Sequence, residues 1–354
     1  MATPGTNEGQ TRVSGARRAA ASRLAGALLV AVTVAAAAGA VPTGVPPRAQ
    51  PALVYEEGGW IYRARLDGTQ PVRLVRGEWP ELSPDGRWIS FERERGYASY
   101  DIHVLPVAGG ESTVVSRGVR ESDWTFDSNR LVVTGDEGTM LVDRRGGSGK
   151  LVLPWRTPTG RLSDVSISAA RDRLVFVRST GSHDSALSNI FSAPLEGGES
   201  IRLTSDGDSS SPLTGPDLIA FTKWTTPGDL WFVKLDGSGA RQITDAGNLK
   251  PALWLPDGRT LVAADSTVTT AGPYYRRLFA VDVATGSIRP LTPVIEGLEV
   301  LGSSHDGRTI LVRTGCMYHG DTSRHSPGGL STVSVSGGTA DSLRHGPCSG
   351  SWSR

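Results

Sequence analysis

The chain has 354 residues, with 37 Lys plus Arg against 36 Asp plus Glu, 44 Gly, 22 Pro and two Cys. Charged residues at 21% and hydrophobic ones at 38% exclude a wholly disordered chain and a bundle of membrane spans. The near-neutral balance argues against a nucleic-acid binder.

Arg12, Arg17, Arg18 and Arg23 precede an uncharged run from Leu24 to Ala40, which closes on Ala38-Gly39-Ala40, small residues that suit a signal-peptidase cut. Residues 1–40 therefore predict export, either as a cleaved signal peptide or as a retained N-terminal anchor. In both cases everything after Val41 lies outside the cytoplasmic membrane, secreted or anchored to its outer side. Membrane contact is confined to residues 24–40 if they are kept. Pro42, Pro46, Pro47 and Pro51 make residues 41–51 a stiff linker.

Residues 52–354 are an internal repeat. The segment Leu82-Ser83-Pro84-Asp85-Gly86-Arg87-Trp88-Ile89-Ser90-Phe91 recurs from Trp124, from Trp254 and from Ser303, with worn copies around Ala170 and Gly215. Between the copies stands a second unit, an alternating strand ending in a Gly turn such as Asp67-Gly68, Gly109-Gly110, Asp236-Gly237 or Gly337-Gly338. Short apolar runs bounded by such turns are strands joined by hairpins. A step of about 42 residues holding four strands is the size of one propeller blade. We name the strands a to d from the central channel outward.

The ends decide the closure. Leu53-Val54-Tyr55 aligns with Ile89-Ser90-Phe91, so the repeat region opens on a b strand. Trp352 falls at the position of Leu82, Trp124 and Trp254, so the final strand is an a strand. Pairing the two completes a blade and predicts an all-β, seven-bladed β-propeller, with six blades as the alternative.

The Ser-Pro-Asp-Gly-Arg turn, its following apolar strand and the Ile61-Tyr62 or Leu230-Trp231 strand ending in Asp-Gly together resemble the TolB-type propeller repeat (WD40-like, or PD40). The resemblance covers roughly residues 52–354. It implies a propeller of six or seven blades in an exported protein, often a protein-binding platform. It implies no single reaction.

Asp85, Asp127, Asp257 and Asp306 read as turn residues, because Asp caps a tight turn and the Gly after it accepts positive φ. Trp124, Trp254 and Trp352 read as packing between blades. Gly-x-Ser-x-Gly, phosphate-loop and Cys-x-x-Cys signatures do not occur in the sequence.

Strand parity puts the b-to-c and d-to-a connections on one face. Cys316 and Cys348 both fall there, and an exported compartment permits a disulfide between them. The longest loops share that face, and loops on rigid scaffolds carry function. They hold Trp155, Arg156, His183, Trp224, Tyr274, Tyr275, Arg276 and Tyr318, residue types enriched at binding hot spots. His319, Asp321, His325 and His345 are capable of ligating a divalent metal, though the spacing matches no ligand signature and solvated loop histidines are the plainer reading.

The sequence thus predicts a non-enzymatic extracytoplasmic binding scaffold, without cofactor, engaging a protein or cell-envelope ligand through the long-loop face. The alternative is a metal-dependent lyase or hydrolase acting on a polysaccharide or peptide at the channel mouth. Propellers of the oligogalacturonate-lyase kind, which hold a metal through His in the channel, set that precedent.

Overall fold

A four-stranded unit of this size cannot bury both its faces alone, so each must stack on a copy of itself. In a computed structural model, residues 52–96, 99–157, 160–168, 172–181, 187–223, 229–245, 248–265, 275–304, 306–315, 328–345 and 349–352 are described. They form thirty strands and no helix. The export segment and linker, residues 1–51, lie outside the described residues.

The first sheet runs Val72–Arg76, Trp60–Ala64, Leu53–Glu57, Ser349–Trp352, so the last strand of the chain pairs with the first. Its register sets Leu53 opposite Trp352 and Tyr55 opposite Gly350. This is the expected closure, with an a strand from one end of the repeat region and b, c and d from the other.

Sheets with innermost strands Gly160–Ile167, Ser209–Thr214, Leu249–Trp254 and Glu299–Ser303 follow the same order. Between them and the first sheet lies a seven-stranded sheet from Glu78–Leu82 to Lys150–Pro154. Its long central strand Thr113–Trp124 serves as d of one four-stranded array and a of the next. The sequence suggested two separate blades here. They fuse because the connection shrinks to a kink at Gly118, whose φ is 67° and whose N–H donates to Asp101 Oδ1 at 3.3 Å.

Among the described residues, apolar clusters bridge one four-stranded array and the next and fill the spaces between them. One packs Val54 and Ile61 against Ile89 and Phe91, and the one that closes the circuit packs Leu53 and Tyr55 against Leu311 and Leu330. The b strands are covered on both faces and so read as unbroken apolar triplets: Ile219-Ala220-Phe221, Leu261-Val262-Ala263 and Ile310-Leu311-Val312 are all fully buried. Each large side chain of this kind contributes about 1.5–3 kcal/mol of transfer free energy. Trp254 packs as expected between arrays. Its ring lies tilted against Phe232 at 5.6 Å, donates Nε1–H to the Leu213 carbonyl at 3.1 Å, and faces Gly215, where a Cβ would come within 2.5 Å of the indole.

The aspartates of the repeat are turn residues in the structure too. Asp85 Oδ1 accepts from the Ser83 hydroxyl at 2.5 Å and from the Arg87 N–H at 3.0 Å, and Gly86 takes φ 70°. Asp127 and Asp306 repeat the pattern with Thr125 and Ser304.

Candidate functional site

The face that receives the ends of the b and d strands carries the long connections. Of the residues picked out from the sequence, His183, Trp224, Tyr274, Tyr318, Cys316, Cys348, His319, Asp321 and His325 lie outside the described residues. His345 ends the outermost strand Asp341–His345, its backbone opposite Gly329. Among the described residues no group of His, Cys, Asp or Glu is arranged to hold a metal ion.

Trp155, Arg156, Tyr275 and Arg276 are on that face. Two stretches read as loops in fact form short ladders, Arg156–Thr157 against Gly160 and Arg161, and Tyr275–Arg276 against Ile295–Glu296. Backbone groups of neighbouring long connections satisfy each other where the connections run side by side.

Trp155 is half-buried, and the Arg120 guanidinium stacks on its indole at 5.2 Å. The same pairing recurs around the face at residues the sequence reading passed over. Arg73 and Arg76 bracket Trp60 at 4.4 and 4.9 Å, Arg313 covers Trp79 at 5.0 Å, and Lys223 sits 3.6 Å over Trp231; Arg344 covers the buried Tyr55 at 4.8 Å in the core, and Arg144 covers Trp88 at 4.4 Å at the opposite face. Several of the cations are also paired to acids: Arg313 to Glu299, Arg344 to Glu57 at 2.8 Å, Lys223 to Asp206 at 2.7 Å. The signal was available only as cross-strand register, for Trp60 stands opposite Arg76.

Toward the axis, the innermost strands break register at corresponding levels: between Glu78 and Glu81, Val119 and Glu121, Ser163 and Ser166, Ser210 and Leu213, Pro251 and Leu253, Val300 and Gly302. Trp79, Asp164 and Ser211 sit in these bulges with φ 49°, a conformation that costs of order 1 kcal/mol for a non-glycine residue and re-aims its side chain.

Three of the bulged strands bring charge together. Surrounding protein, and then the Asp164 carboxylate, hold the Glu121 carboxyl above its ordinary range. Burial and the nearby Arg276 push the Lys250 ammonium down, while Asp164 acts in the opposite sense. Asp164 Oδ2 in turn accepts the Ser211 N–H at 3.3 Å. Glu121, Asp164, Lys250 and Arg276 thus form one electrostatically linked group, and Arg276 is the member that the sequence singled out.

A second acidic group joins the strands Leu53–Glu57, Glu78–Leu82 and Trp88–Gly96. Burial and the cross-strand Glu78 raise Glu92 to about 7. Glu56 is raised by burial and by Glu78 and Glu57, against the Gly59 N–H that donates to it at 2.7 Å. A carboxyl raised above its unfolded value of 4.5 takes up a proton on folding, so its contribution is present below about pH 4.5 and lost as pH rises through about 7. Glu92→Gln is neutral at every pH. It is expected to leave stability near pH 4 almost unchanged and to raise it by about 1–2 kcal/mol near pH 8, allowing for partial solvent screening. Thermal unfolding at the two pH values checks this, and a variant that tracks the parent at both would remove the argument.

No protein-family model and no curated protein matches the sequence. Among solved structures the chain is similar to an oligogalacturonate lyase in complex with manganese, at 16% identity over 82% of this chain and 83% of that one, with a TM-score of 0.60. It is similar to oligogalacturonate lyase from Vibrio parahaemolyticus at 14% identity over 83% and 85%, TM-score 0.61. TolB from Acinetobacter baumannii aligns at 14% identity over 86% and 66%, TM-score 0.46. The fold is that of a β-propeller. Identities this low speak to the fold alone, and one propeller scaffold carries both binding proteins and enzymes. What this propeller offers chemically is a face that carries aromatic rings topped by cations, around a channel mouth of mixed charge.

Proposed function

We propose that the propeller is an extracytoplasmic binding scaffold that engages a protein or cell-envelope ligand through its long-loop face. The observation that carries this is the group of half-buried, cation-topped tryptophans on the long-loop face, Trp60, Trp79, Trp155 and Trp231. Held in place by strand pairing and ion pairs, these groups lose little freedom when a partner docks, and Trp, Tyr and Arg dominate binding hot spots. The arginine-led, alanine-rich segment before residue 41 supports the extracytoplasmic placement. The test is crosslinked capture of envelope material by the mature chain, compared with Trp155→Ala plus Arg276→Ala and with a control altered on the opposite face. We expect capture to fall at least about tenfold in the first variant only. Equal capture by all three would refute the choice of face.

A second reading is favoured by the linked Glu121, Asp164, Lys250 and Arg276. A raised carboxyl next to a depressed lysine is a pairing suited to proton transfer at a sugar or peptide. On this reading the propeller is a lyase or hydrolase of a polysaccharide or peptide, and the similarity to oligogalacturonate lyases makes oligogalacturonate the first substrate to assay. A divalent metal would be held by His319, Asp321, His325 and His345. Unsaturated product formed by the parent, and lost in Lys250→Met, would establish this reading. No turnover with or without added manganese would remove it.

A further inference from the structure

Three arginines with no carboxylate partner among the described residues meet at the long-loop face of the array built on Gly160–Ile167. Arg156 and Arg161 stand opposite each other in a two-pair ladder closed by Thr157 and Gly160. Like charges directly across a ladder oppose folding, and both side chains are exposed with no acidic partner among the described residues. Arg178 lies beneath them, only 4% exposed. Its guanidinium donates Nη1–H to Gly160 O and Nη2–H to Pro154 O, each at 3.2 Å, and lies 5.3 Å over the Phe176 ring. A buried cation held by dipoles and no counter-ion leaves net positive charge on the floor of the hairpin.

The hairpin seats directly on the strand below, since a Cβ on Gly160 would come within 2.4 Å of the Ser179 carbonyl. Between them is a cleft of about 420 Å³, lined by Arg156 and Arg161 and walled by Ser179, Thr180 and Gly181. Arg161 and Ser179 are register partners, so a guanidinium and a hydroxyl-bearing residue share one level of the wall.

We infer that this cleft binds a dianionic phosphate group, which rests on, and gives a ligand chemistry to, the binding role proposed above. Guanidinium forks take up oxyanions through paired N–H···O contacts. A carboxylate offers two oxygens and one charge, enough for one fork. A phosphate monoester offers three free oxygens and about −1.5 to −2 charges, which matches the two opposed forks of Arg156 and Arg161. The cleft falls within the range of roughly 300–1,000 Å³ typical of small-molecule sites, more room than a bare ion fills, and this favours phosphate carried on a larger ligand.

Calorimetric titration of the mature chain at low salt, with glycerol 3-phosphate, inorganic phosphate and acetate, tests the inference. Saturable binding of glycerol 3-phosphate is expected, with acetate at least about tenfold weaker. Arg156→Gln and Arg161→Gln should each weaken it by about tenfold, and Arg145→Gln, an exposed site on the opposite face, should not. The variants change solvent-exposed side chains, and unchanged melting temperatures show that they remain folded. Tighter binding of the ester than of inorganic phosphate assigns the source to a phosphorylated ligand. Equal binding assigns it to free phosphate. No saturation by about 10 mM, equal affinity in the two variants, or acetate binding as well as phosphate would each overturn it. Envelope capture that survives while phosphate binding fails would sink this inference alone. Phosphate binding that survives while Trp155→Ala plus Arg276→Ala leaves capture intact would sink only the choice of docking face.

Discussion

A chain lacking residues 349–354 is expected to lose about 4 kcal/mol of stability. Ser349–Trp352 supplies the innermost strand of the first sheet through four register pairs, and each net backbone hydrogen bond contributes about 1 kcal/mol. Without it, Leu53, Val54 and Tyr55, all fully buried, present their backbone at an open edge on the wall of the channel. Gly350→Pro is the finer probe, because it removes a donor opposite Tyr55 and leaves the chain length unchanged. Urea unfolding should show a lower midpoint for both. If the truncated chain unfolds at the parent's midpoint, terminal pairing does not hold the ring closed.

Gly138→Ala is expected to destabilise by about 3 kcal/mol or more and to disturb Trp155. Gly138 pairs with Gly135 at a hairpin end on the long-loop face and adopts φ 131°, open to glycine alone. A Cβ there would come within 2.0 Å of the Leu153 carbonyl and 2.6 Å of the Trp155 N–H. Both obstacles are backbone, so relief requires the strand Lys150–Pro154 to move, and with it the indole that Arg120 covers. Near-ultraviolet dichroism would report the tryptophan, and a denaturation curve the stability. A variant as stable as the parent, with an unchanged aromatic spectrum, would contradict the packing described for this corner.

Much of the fold was legible because its physics is local and repeated. Ser83-Pro84-Asp85-Gly86 builds its turn from its own side chains, so the motif marks each a-to-b hairpin wherever it recurs. The placement of Trp352 beside Leu53 followed from counting strands at the two ends, since a ring of like units has one place for an orphan strand. Parity alone assigned Trp155, Arg156, Tyr275 and Arg276 to one face.

The site was less legible, for a reason seen in particular residues. Glu121, Asp164 and Lys250 lie on ordinary inner strands far apart in sequence, and they meet because bulges turn their strands toward a shared axis. Trp60 and Trp79 read as strand residues like any others until their arginines are placed over them from neighbouring strands.

By itself the sequence determined the β-propeller repeat and its turns, because these depend on hydrogen bonds and apolar alternation within about forty residues, and the pairing of its ends followed from the strand count of the repeat. Only the tertiary structure decided which charges and rings share the channel mouth and which arginines gather under one hairpin. Those neighbours come from different blades or from strands set side by side, and their distances depend on twist, bulge and register, which no single repeat encodes.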